Sequence, residues 1–183
     1  MTPADKLLDH FDRIAGSEPN FLRISDEGVR PILNVAIYRG FPERDALTGF
    51  TVGLSHLHPP GGAHKELTIS MRDADDVWAL ACGFVALQFR EECPFGCGTC
   101  INFREQIAPS STMSAFLVEH PRYISPQDTI VDLGFRKIEI MQLVPLYPQE
   151  YAWLKEGGEP RMLLDANPGW SLMEPRRQPF VPT

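Results

Sequence analysis

The 183-residue sequence predicts an α+β fold: a largely antiparallel or mixed sheet with a buried central helix and short flanking helices. Three observations predict it. Short runs rich in β-branched and aromatic residues recur between turn-rich pieces such as GFPERD and HPPGGAH. One segment, 77–91, carries apolar residues around nearly its whole circumference for three turns, which is the pattern of a helix buried on all sides. The regular strand–helix alternation of a doubly wound parallel sheet is missing.

Taken in order, residues 3–15 read as an amphipathic helix. Leu7, Leu8, Phe11 and Ile14 form its stripe, Thr2 can cap it, Pro3 suits its first turn and Asp5 lies near its positive end. Residues 32–38, 47–57 and 66–71 read as antiparallel strands. In the third, Leu67, Ile69 and Met71 alternate with Glu66, Thr68 and Ser70, so one face of the sheet is expected to be covered and the other wetter. Asp73, Asp75 and Asp76 supply caps and first-turn charge for the helix over 77–91. Strands follow at 113–119 and 135–144. Pro145 then stops the ladder, Pro148 suits a first helical turn, and Gly157 and Gly158 end a helix around Tyr151. A further short helix surrounds Met162. Residues 1–173 form one domain, and 174–183, with three prolines and two arginines, read as a proline-rich surface tail.

The formal net charge of −7 excludes the class of nucleic-acid binders, whose phosphate contacts need clustered Lys and Arg; the densest basic spot is Arg176 and Arg177. An acidic balance suits a basic protein partner, and it equally suits plain solubility. The longest apolar run, 77–87, falls well short of the ~20 residues that span a bilayer, and the first sixteen residues carry Asp5, Asp9 and Asp12 where a secretory leader would be apolar. A cytoplasmic protein without membrane partners is expected.

Two blocks carry a family resemblance. Gln142, Leu143 and Val144 end a strand that leads into Glu150, Tyr151, Leu154, Lys155, Gly157 and Gly158, an "EYxxLKxGG" pattern. Upstream, TVGLS at 51–55 precedes KELTISM at 65–71. In order and separation these blocks resemble the suppressor of fused family, over roughly residues 41–164. The resemblance implies the compact single-domain form, which in bacteria is commonly an immunity protein of a toxin system. Its partner would then be a toxin domain, neutralised by stoichiometric binding without catalysis. Animal members grip an extended peptide of a transcription factor, so strand addition at an exposed sheet edge is the implied mode of binding. No partner-binding residue transfers, because the matching positions look like scaffold; Gly53 and Glu66 suit a turn and a core hydrogen bond.

The alternative chemistry lies in CPFGCGTC, where Cys93, Cys97 and Cys100 have C-x3-C-x2-C spacing on a turn that Pro94, Gly96 and Gly98 permit, with Cys82 one helix length earlier. Such thiolates could hold a structural zinc or form a redox pair, making a metal-binding or redox regulatory protein. A fourth ligand stays open among His56, His58, His64 and His120, and thiols without special role are the plainer reading. His56 and His58 form an H-x-H pair near a strand end. Ser55 in GLSHL lacks the second glycine of a nucleophile elbow. Glu91 and Glu92 neighbour each other at a helix end rather than facing across a site. Trp153 and Trp170 suit core positions better than interface anchors. No catalytic residue and no cofactor are expected.

Overall fold

The computed structural model describes residues 2–26, 29–57 and 64–180. Among the described residues eight strands form one mixed sheet: β1 (Asn20–Asp26), β2 (Val29–Arg39), β3 (Leu47–Val52), β4 (Lys65–Met71), β5 (Cys100–Asn102), β6 (Ala115–Glu119), β7 (Ile130–Asp132) and β8 (Lys137–Leu146). Their order across the sheet is β1-β2-β3-β4-β8-β6-β5, and β7 also pairs with β8. Every pairing is antiparallel except β4 with β8, which is parallel, with Glu66 opposite Ile140. Parallel neighbours need a long crossover, and α2 (Val77–Gln88) with the segment after it supplies one. The expected α+β fold, with a mixed sheet and a buried central helix, is the fold observed.

Helix α1 (Pro3–Ala15) starts as its sequence dictates. Thr2 Oγ1 accepts from the Asp5 amide while the Asp5 carboxylate accepts from the Thr2 amide, a reciprocal capping box, and Gly16 closes the helix in the left-handed conformation. Leu7 and Phe11 bury the stripe against Ala36, Tyr38, Phe50, Ile138 and Ile140 on one face of the sheet. Helix α2 covers the other face, packed on Val35, Ile37, Leu67, Ile69 and Met71. Gly83 sets how closely it lies: a Cβ there would stand 2.7 Å from Ile24 Cγ1 and 2.8 Å from Val35 Cγ2. Helices α3 (Pro148–Lys155) and α4 (Pro160–Ala166) bury Leu154 and Leu163 against Leu117, Val144 and Leu146.

Several expectations change here. Glu66, Thr68 and Ser70 do not face water; all of β4 is buried. Both faces of the sheet are covered, and the polar side chains pair among themselves: Ser70 bonds Thr48, and Thr68 bonds the Tyr123 hydroxyl at 2.6 Å. The strand expected over 47–57 stops at Val52, where Gly53 (φ +115°) turns the chain into a short 3-10 turn, Leu54–His56. The helix expected over 77–91 ends at Gln88. Strands β1, β5 and β7 are additional. Residues 174–180, read as part of a surface tail, send the Arg177 side chain inward.

Candidate functional site

The two blocks that carry the family pattern each centre on a buried carboxylate. Glu66 on β4 accepts from Thr51 Oγ1 at 2.7 Å and from the amides of Gly53, Leu54 and Ser55 at 3.1, 3.2 and 3.0 Å. Burial raises its pKa, and the bonds from Thr51, Ser55 and Gly53 oppose that rise. Thr51 Oγ1 also accepts the Leu67 amide at 2.7 Å, so its own proton is committed to Glu66. Glu66 therefore ties β3 and the 3-10 turn to β4, and Gly53 is the residue that lets the chain bend into its reach. Both serve scaffold roles, a turn and a core hydrogen bond.

Glu150 on α3 is also fully buried. It accepts the Tyr147 amide at 2.9 Å, both terminal nitrogens of Arg177 at 2.5 and 2.7 Å, and the Phe180 amide at 2.7 Å. In the sequence Glu150 stands out only as the first residue of the EYxxLKxGG pattern. Its partners Arg177 and Phe180 lie 27 and 30 residues further along, beyond the reach of any local pattern.

The cysteines do not converge. Cys93 follows the end of α2, Cys97 is exposed on a turn, Cys100 lies on β5 opposite Leu117, and all four, Cys82 included, are free thiols. Among the described residues no group of three His, Cys, Asp or Glu is placed to share a metal ion. Cys97 Sγ donates to Glu119 Oε2 at 3.0 Å. Its pKa is pushed up to about 11, first by burial and then by that bond and charge. Burial also raises Cys93, Cys100 and, most of all, Cys82 inside α2. Metal binding and nucleophilic attack both require the thiolate, the form these surroundings disfavour.

Ser55 is fully buried, and its amide is committed to Glu66; its carbonyl receives Arg136 Nη1 at 3.2 Å and lies 3.0 Å from His64 Nδ1. Exposed His56 has a lowered pKa, caused by partial burial and by the charges of Arg136 and His64. His58 lies outside the described residues. Asp73 accepts Trp78 Nε1 at 3.0 Å and Ser110 Oγ at 2.6 Å, Asp75 accepts the Val77 amide at 3.0 Å, and Asp76 pairs with Arg39, so this acidic cluster shapes the entry to α2. Glu91 and Glu92 are exposed at a helix end. Trp153 packs on Phe180 with ring centroids 5.0 Å apart, and Trp170 is half-buried.

What the surface offers is an open sheet edge. β1 pairs with β2 alone among the described residues, leaving its outer backbone edge without a strand. Beside it, between β1 and α2, lies a cleft of about 430 Å³ lined by Ser25, Phe84, Leu87, Arg90, Phe103 and Glu105. Phe84 is the exposed aromatic of a largely buried helix, at 46 % exposure, and Phe21 on β1 is 53 % exposed. An unpaired edge next to an aromatic-lined cleft is the combination that strand addition uses: backbone bonds for affinity and a side-chain receptacle for selection.

The comparisons with known proteins agree with the fold. A family model described as Suppressor of fused protein (SUFU) matches residues 30–178. The chain is similar to the crystal structure of a suppressor of fused homologue from Neisseria gonorrhoeae, with TM-score 0.69 and 13 % identity over 87 % of this chain and 85 % of that one. A chain of the Sufu–Fu complex gives TM-score 0.69 and 16 % identity over 96 % and 90 %. Drosophila Suppressor of Fused gives TM-score 0.63 and 15 % identity over 96 % of this chain, which spans 50 % of that protein's. No curated protein matches.

Proposed function

The chain belongs to the suppressor of fused family, and from that premise we propose that it is a non-enzymatic protein-binding domain acting as an immunity protein, which neutralises a cognate bacterial toxin by one-to-one binding. The observation that carries the binding reading is the open β1 edge beside the cleft at Phe84 and Phe103. A partner segment pairing with β1 would gain main-chain hydrogen bonds and place a side chain against those rings. A crystal of a Sufu–Fu complex supports the partner class, since a structurally similar chain is there in complex. The acidic charge suits a basic toxin, and no helix among the described residues is long and apolar enough to cross a membrane. The binding reading assigns no cofactor to Cys93, Cys97 and Cys100, and protein purified without added metal is expected to carry far less than one zinc per chain.

Co-expression with candidate toxin domains tests the function. The expected result is restored growth together with a one-to-one complex in light scattering. Failure of every candidate to bind, or turnover of a small molecule by the protein alone, would overturn it. Within the complex, backbone amides of β1 are expected to gain protection from hydrogen exchange; unchanged β1 amides would remove strand addition at this edge.

A further inference from the structure

Residues 174–180 contain no helix or strand, yet they are fixed by a small, chemically specific set of contacts. Arg177 puts its side chain, 3 % exposed, against the fully buried Glu150 in a two-pronged pair. The same guanidinium reaches the Pro145 carbonyl at 3.1 Å and lies 5.2 Å from the centre of the Tyr147 ring. The Tyr147 hydroxyl donates to the Arg177 carbonyl at 2.6 Å, the Phe180 amide donates to Glu150, and the Phe180 ring rests on Trp153. What is read is thus an arginine, an aromatic three residues later and the backbone between; the side chain of Gln178 is exposed.

The segment is undercut on both sides. A cleft of about 690 Å³ separates it from Met162, Asp165 and Ser171, and a second, of about 380 Å³, separates it from Pro109 and Thr112. Arg177, Gln178 and Pro179 line both clefts, so these residues form a bridge. Arg177 Nε is buried without an acceptor, so even the anchor is not fully satisfied. At its start the segment is fastened by Glu174 to Arg72 at 2.6 Å and by the Arg72 amide to the Met173 carbonyl at 2.9 Å. An irregular segment fastened at Glu174 and again at Arg177 and Phe180, with clefts on either side, can open locally without unfolding the sheet.

We propose that Tyr147, Glu150 and Trp153 form a receptor for an extended Arg-x-x-aromatic segment, that residues 177–180 fill it from within the same chain, and that a basic partner presenting this pattern takes the site by exchange. Vacating the receptor strands a buried carboxylate, so an incoming segment must bring a guanidinium; a lysine cannot make the two-pronged contact. The resident segment competes at an effective concentration on the order of millimolar, so a free peptide displaces it poorly, whereas a partner already docked elsewhere on the domain competes on equal terms. This site adds to the protein-binding reading, and its test needs no toxin, so its failure leaves that reading standing.

The probe is the peptide acetyl-EPRRQPF-amide, with a version carrying lysine at the second arginine, titrated into full-length protein and followed by NMR shifts of the Trp153 indole and the Glu150 amide. Arg177→Ala is expected to bind the arginine peptide about tenfold or more tightly than the wild type does, and the lysine peptide about tenfold more weakly than the arginine one. Equal binding to both proteins, or no binding to folded Arg177→Ala at millimolar peptide, would overturn the proposal. If that variant does not fold, amide exchange in the wild type decides: the Phe180 amide is expected to exchange about a hundredfold faster than the amides of the β-sheet core, and exchange of Phe180 only with global unfolding would overturn it.

Discussion

At the scale of single residues, the reactivity of Cys97 follows from its bond to Glu119. The carboxylate accepts the S–H proton at 3.0 Å, and burial and that acceptor both favour the neutral thiol, which pushes its pKa up to about 11. Only the thiolate attacks an alkylating reagent, so the rate of iodoacetamide labelling is expected to climb with pH through 8, 9 and 10 without levelling. Near neutral pH the loss of thiolate is partly offset by the greater nucleophilicity of a more basic sulfur. Labelling about tenfold slower than for an ordinary exposed thiol is expected at pH 8. Glu119→Gln removes the charge and should bring the plateau down toward the usual thiol range. A plateau already present near pH 9 in the wild type would show that the Glu119 contact does not form. The spacing of CPFGCGTC could not reveal this, since the partner that silences Cys97 sits on β6, 22 residues away.

At the scale of elements, α2 shows how tightly the two layers are set. A methyl group at position 83 would meet two buried β-branched side chains, Ile24 and Val35, at less than 3 Å, and neither can swing far inside the sheet. Overpacking of this kind costs ~1–3 kcal/mol, while alanine's better helix propensity returns up to ~1 kcal/mol. Gly83→Ala is therefore expected to destabilise the fold by ~1–2 kcal/mol, read as a lower urea midpoint with an unchanged slope; a variant as stable as the wild type would mean that α2 sits further from β1 and β2 than described. Which elements were legible follows from where their causes lie. α1 was readable to the residue because its cap, its proline and its stripe are all local, and α2 was readable because eleven residues in a row cannot be apolar all round without being buried. β5 and β7 have three residues each, and their pairing partners on β6 and β8 define them. The polar side of β4 was read as wet for the same reason: Glu66, Thr68 and Ser70 are satisfied by Thr51, Tyr123 and Thr48, all distant in sequence.

At the scale of the whole molecule, charge and topology act together on recognition. The fold class was legible, since strand runs around one all-apolar helix leave few architectures, but the parallel join of β4 to β8 was not, and that join decides which strands remain at the edges. With β8 placed inside the sheet, β1 lies at an open edge beside the cleft at Phe84 and Phe103, a juxtaposition that no motif marks. The net charge of −7 gives the molecule as a whole an attraction for basic partners that reaches about a Debye length, ~10 Å at 0.1 M salt, into the solvent. Under the proposed function a basic partner would be drawn in before contact, whereas the backbone pairing and aromatic contacts proposed to hold it would be short-ranged and indifferent to salt. Raising ionic strength from about 20 mM to about 500 mM should therefore slow association with a basic toxin domain by roughly tenfold or more, leaving dissociation within about twofold. Stopped-flow association at several salt concentrations separates the two rates. If salt instead accelerated dissociation and left association unchanged, the complex would rest on desolvated ion pairs at its core, and the open edge of β1 would not be where the partner is held.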